Sequence, residues 1–90
     1  MKVLYRPSFA RAFKALTSEQ QADVRAAQAQ LGEVFGRPHL HAGLGIRRLG
    51  DYFEFRAGLK IRVVFLMERG DAVLTTAGNH DHVRRWVREH

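Results

Sequence analysis

An α+β domain is the fold class this sequence predicts: a small, mainly antiparallel sheet with an N-terminal helical hairpin packed on one face. Three features predict it. From Pro7 towards Phe35, apolar residues recur at three- and four-residue spacing, the period of helices with one buried stripe. From Ile46 to Ala77 they alternate in short runs broken by glycine-containing turns, the period of strands. The order of these patterns is strand, helix, helix, four strands and a short helix, and the short turns make the later strands a meander.

A chain of 90 residues suits one domain spanning residues 1–90. A core this small needs a contribution from nearly every element. With 46% apolar and 27% charged residues the composition is that of a globular protein. There is no cysteine, which excludes disulfides and thiolate zinc sites. No apolar run approaches the ~20 residues that span a bilayer. Arg6 and Pro7 interrupt any signal-peptide core at once. The expectation is a cytoplasmic protein with no membrane partner. Its net charge of +6 and pI of about 10.8 favour polyanions: nucleic acid or an acidic protein.

Lys2 to Arg6 reads as a strand that Pro7 ends, with Ser8 as the N-cap of a helix burying Phe9, Ala12, Phe13 and Leu16. Thr17 or Ser18 caps the second helix, and Ser18 with Gln21 has capping-box spacing. Val24, Ala27 and Leu31 make its buried stripe, extended by Val34 or Phe35, and Gly36 closes it. The loop from Arg37 to Gly45 carries His39 and His41. Without carboxylates or cysteines nearby, that pair is a poor metal signal, and a solvated or phosphate-facing loop is the reading adopted. Ile46–Leu49 is a strand, Gly50-Asp51 a turn, Ala72–Ala77 the last strand, and Val83–His90 a short helix that Asn79 or Asp81 caps and Val83 and Val87 dock.

The run Tyr52 to Phe65 organises the chain. It reads as two strands joined at Ala57-Gly58. Phe53 and Phe55, with Ile61, Val63 and Phe65, form a core face. Glu54, Arg56, Lys60 and Arg62 share the other, so one carboxylate and three cations stand together in mid-sheet.

At this point the sequence resembles the RelE/ParE superfamily of bacterial toxin–antitoxin modules. The resemblance covers almost the whole chain. It lies in the Phe9-x-x-x-Phe13-Lys14-x-Leu16 helix, the Arg48-Leu49-Gly50-Asp51-Tyr52 approach, the Phe55-Arg56-Ala57-Gly58 turn and the Arg62-Val63-Val64-Phe65 strand. The Gly78-Asn79-His80-Asp81 segment followed by Trp86 is similar to the tail of many members. Ile61 departs from the pattern by replacing an aromatic. The resemblance implies a β-α-α-β-β-β-β fold with a short C-terminal helix and one concave sheet face left open by the helices. It also implies a toxin neutralised by a cognate antitoxin that wraps it. RelE-like members cut messenger RNA, usually on the ribosome, with no metal or other cofactor. ParE-like members poison DNA gyrase by contact.

Metal-free RNA cleavage requires a proton taken from the 2′-hydroxyl, charge neutralised at phosphorus and a proton given to the 5′-oxygen. Arg62 matches the family's phosphate-contacting arginine; its alternative role is an ion pair with Glu54 or Asp81. His80 stands just after the last strand, where RelE-like members carry a basic catalytic residue, and is the candidate proton shuttle or else a helix-terminal, solvated histidine. Glu54 is a candidate general base or one half of a cross-strand salt bridge. Arg47, Arg48, Arg56, Lys60 and His82 are candidate RNA contacts, or ordinary surface charges. Trp86 stands near a position where RNA-cleaving relatives commonly carry a tyrosine. An indole cannot act as a base, so Trp86 either stacks on an RNA base or covers the sheet edge. The resemblance thus implies an endoribonuclease that inhibits translation, with a gyrase inhibitor or an inactive binding module as the alternatives.

Overall fold

The computed structural model describes residues 1–34 and 43–90. Its elements are β1 (Val3–Tyr5), α1 (Pro7–Lys14), α2 (Ser18–Val34), β2 (Arg47–Leu49), β3 (Tyr52–Ala57), β4 (Ile61–Glu68), β5 (Asp71–Gly78) and α3 (His80–Glu89). The five-stranded sheet has the order β1-β5-β4-β3-β2. β2 to β5 form the antiparallel meander, and β1 lies parallel beside β5, with Val3 opposite Ala72. The hairpin carries the chain from β1 to β2 at the opposite edge, and the meander then returns it to β5, so the parallel partners are joined by a long connection.

α1 packs on β5 and α2 on β3. Their apolar stripes meet Phe55, Ile61, Val63, Phe65 and Leu74 in one core cluster with Phe9, Val24, Ala27 and Leu31. Ala12, Phe13 and Leu16 are only half-buried, and Phe9 is the residue that α1 buries fully.

Two cap assignments shift. Arg6 is the N-cap of α1, with Pro7 as its first residue, where a missing N–H costs nothing. Ser8 instead donates its hydroxyl to the Thr75 carbonyl at 2.6 Å. The capping box of α2 is Thr17 with Gln20, one residue earlier than the spacing of Ser18 and Gln21. The Gln20 amide N–H donates to Thr17 Oγ1 at 3.1 Å, and the Thr17 N–H donates to Gln20 Oε1 at 2.9 Å. Phe35, Gly36, His39 and His41 lie outside the described residues, and of Val34 only the backbone is described.

α3 begins at His80, three residues before the predicted start, capped by Asn79, whose side chain accepts from the His82 N–H at 2.8 Å. It packs on β4 and β5. Val83 and Val64 are buried there, outside the main core cluster, so α3 covers part of the face opposite the hairpin. The open face is therefore narrower than the resemblance implies: it comprises the β2–β3 side and the rim of β4.

Pairing between β4 and β5 slips at Val64/Phe65. Val64 pairs with Thr76 and Phe65 with Leu74, so Thr75 is an extra residue. Its hydroxyl donates to the Val64 carbonyl at 3.1 Å. The bulge reverses the side-chain alternation. Leu74 and Ala77 both enter the core, and Thr76 turns to the α3 side.

Candidate functional site

Strand register arranges the polar face in rows. Arg47 lies opposite Glu54, Glu54 opposite Val64 and Val64 opposite Thr76. One step along, Arg56 lies opposite Arg62, and Arg62 opposite Gly78. Directly opposed residues share a face, so these rows bring Arg47, Glu54, Arg56, Arg62 and Thr76 to one side of the sheet.

Glu54 is the fixed point. Its side chain is 1% exposed, accepts from Arg47 Nε at 2.6 Å and lies 3.5 Å from an Arg62 terminal nitrogen. A buried carboxylate needs such partners, because desolvation without them costs several kcal/mol. The two contacts are unequal. The Arg47 distance is a short charge-assisted hydrogen bond; the Arg62 distance is Coulombic attraction at the edge of hydrogen-bond range. Arg62, 26% exposed, is thus steered by Glu54 without being used up by it.

Arg56 is exposed, and no ion pair engages it among the described residues. Its guanidinium lies over Gly45, where an added Cβ would come within 2.5 Å of Nε. Two arginines directly across a strand pair repel, which an anion between them relieves.

The remaining candidates divide. His82 lies on this face: its ring rests against Gly78 and its Nε2 is 2.9 Å from Thr76 Oγ1. His80 is the first residue of α3 and is exposed. Arg48 goes to the hairpin side, donating to the Gly50 carbonyl at 2.8 Å and lying over the Phe53 ring. Lys60 belongs to the β3–β4 turn and lines a cleft with Glu19, Gln20 and Asp23. Trp86 meets Tyr52 edge-on at 5.1 Å and stacks on His90 at 4.2 Å, so it covers the start of β3.

Three residues on or beside this face were missed by sequence reasoning. Thr76 needed the bulge to reach this face. Arg84 and Arg88, one helical turn apart, line a cleft of about 350 Å³ with Leu49, Gly50 and Val87, adding charge between the β2–β3 turn and α3. Their four-residue spacing was readable, but the face α3 presents was not. Among the described residues, no cluster of three or more His, Asp or Glu side chains is arranged to hold a metal ion, and no helix is long and apolar enough to cross a membrane.

No protein-family model and no curated protein matches the sequence. Solved structures do match the fold. YafQ from Escherichia coli strain BL21(DE3) superimposes with a TM-score of 0.71 at 11% identity, over 91% of this chain and 96% of that one. A RelB–RelE antitoxin–toxin complex from Methanococcus jannaschii gives a TM-score of 0.67 at 12% identity, over 92% and 96%. A YoeB/ParE toxin from Agrobacterium tumefaciens gives 0.61 at 17%, over 89% and 99%.

Proposed function

We propose, from the RelE-like toxin fold that this chain has, that the protein is the toxin of a toxin–antitoxin pair and a metal-independent endoribonuclease. Its substrate is messenger RNA, bound on the ribosome, and its effect is to stop translation. The observation that supports this reading is the opposed Arg56 and Arg62 pair, beside a buried Glu54 that Arg47 already satisfies. Such a pair is costly without an anion and suited to a phosphodiester.

Each residue then has a task. Arg62 and Arg56 neutralise charge as the 2′-oxygen bonds to phosphorus. Glu54 and Arg47 hold Arg62 at the correct height. An imidazole from the first turn of α3 moves the proton. The products are a 2′,3′-cyclic phosphate and a free 5′-hydroxyl. The net charge of +6 suits neutralisation by an acidic, partly disordered antitoxin.

The test is induced expression in a bacterium with transcriptome-wide mapping of RNA 5′ ends. New message ends that disappear in the Arg62→Ala/His80→Ala/His82→Ala triple variant are expected. Growth arrest without new ends, unchanged by the substitutions, would favour the ParE-like alternative, contact inhibition of DNA gyrase. Trp86 motivates that second reading: it is engaged in packing with Tyr52 and His90 and supplies no phenol hydroxyl. Unchanged supercoiling by gyrase in excess protein would dispose of it.

A further inference from the structure

Two histidines flank the start of α3, and the ribonuclease reading needs one imidazole. We propose that His82, and not His80, moves the proton, with Thr76 as the residue that positions it. The inference rests on the ribonuclease reading.

His80 and His82 are two residues apart, so they leave the helix about 200° from each other. Only one can face the sheet, and the fold selects His82 by three constraints. Its backbone N–H is held by the Asn79 cap at 2.8 Å. Its ring lies on Gly78 so closely that an added Cβ would come within 2.6 Å of Cδ2. Its Nε2 is 2.9 Å from the hydroxyl of Thr76, a residue 2% exposed. Gly78 is the residue directly opposite Arg62, so the imidazole rests on the strand position next to the phosphate-binding arginine. The His80 side chain makes no hydrogen bond among the described residues, and the residue is exposed.

The ring is held by one edge. Cδ2 is against Gly78 and Nε2 is on Thr76, which leaves the Nδ1 edge turned away from the strand; Nδ1 has no partner among the described residues. With a proton on Nε2, the Thr76 oxygen accepts it and Nδ1 presents a lone pair. When Nδ1 then takes the proton of the 2′-hydroxyl, Nε2–H still donates to the same oxygen. One hydrogen bond therefore serves the ring before and after proton uptake, and nothing has to reorient during the reaction. The 2′-oxygen forms its bond to phosphorus, the bond from phosphorus to the 5′-oxygen breaks, and the 5′-oxygen takes a proton from water. The hydroxide left behind is neutralised by the proton held on Nδ1, which resets the ring.

The test compares ribosome-bound message cleavage by the purified protein and its His82→Ala, His82→Gln, His80→Ala, Thr76→Val and Thr76→Ser variants, with the folded state checked by circular dichroism. His82→Ala should lose roughly 100-fold or more, the scale of a lost acid–base group. His82→Gln, which retains a polar group for Thr76 but cannot carry the proton, should be equally impaired. His80→Ala should stay within about 3-fold of wild type, since its ring is outside hydrogen-bond reach of the site. Added imidazole should restore part of the activity of His82→Ala. Nitrogen-15 NMR of the free protein should show the Nε2–H tautomer at His82, lost in Thr76→Val and retained in Thr76→Ser. If His80→Ala is inactive while His82→Ala cuts normally, or if His82 carries its proton on Nδ1, the inference is overturned. If the wild-type protein cuts no RNA, the ribonuclease reading itself falls and this assignment falls with it.

Discussion

Arg47 and Glu54 lie directly opposite each other on β2 and β3, and their side chains meet at 2.6 Å, the carboxylate 1% exposed and the arginine 56%. The exposed partner is what allows the buried one to be charged. Glu54→Gln keeps the shape and removes the charge, and should cost about 2–3 kcal/mol of unfolding free energy. Arg47→Ala should cost less than Arg47 and Glu54 contribute together, because Arg62 is close enough to swing in. Urea denaturation of the two single variants and the double variant measures the coupling. A coupling near zero would mean that the pair is incidental.

Arg56 and Arg62 should act on RNA as phosphate contacts. Each alanine substitution should reduce the slope of log affinity against log salt by about 0.7, the increment for one phosphate contact on a single strand. Fluorescence anisotropy with a short RNA at several salt concentrations reads it. Arg48→Ala, whose side chain lies on the other face over Phe53, should leave the slope unchanged.

Gly78 is a contact point for the His82 ring. Gly78→Ala places a methyl within 2.6–2.7 Å of Cδ2 and Cγ, so the ring or the helix must move. The expected cost is about 1–3 kcal/mol. RNA cleavage should fall further than the stability loss explains, because a displaced ring loses Thr76. Thermal melts beside cleavage rates separate the two effects.

The caps of α2 and α3 should have equal thermodynamic and unequal functional weight. Thr17→Ala and Asn79→Ala should each cost about 1 kcal/mol. Only Asn79→Ala should lower cleavage, since Asn79 holds the turn that carries His82.

Arg69 and Gly70 both have positive φ, 53° and 82°, in the two-residue turn between Glu68 and Asp71. That is a mirror-image turn, in which asparagine sits at lower cost than arginine. Arg69→Asn should therefore raise the unfolding free energy by about 0.5–1 kcal/mol, read by urea denaturation.

Much of the fold was legible because period and turn chemistry are local. The alternation around Phe53 and Phe55 marked the core face, and the spacing of Val24, Ala27 and Leu31 marked the buried stripe of α2. The antiparallel meander followed from short turns. Where local rules competed the reading slipped. Ser8 could cap a helix, but Pro7 is better placed as its first residue, which moves the cap to Arg6. Thr17 and Ser18 were both open as the cap of α2, and the box forms at Thr17 with Gln20, one residue before the spacing read for Ser18 and Gln21.

The sequence by itself determined the α+β class, the order of elements and the placing of Glu54, Arg56 and Arg62 on one face of the central hairpin, because side-chain direction in a strand follows from counting by two. Only the tertiary structure decided which neighbours share that face. Pairing brought Arg47 to Glu54 and sent Arg48 to the other side. The extra residue Thr75 broke the count along β5, so Thr76 turned out of the core towards α3. α3 then set His82 against Gly78 and left His80 in solvent. A bulge and a helix docking angle depend on how distant segments pack, and no periodicity within one segment encodes them.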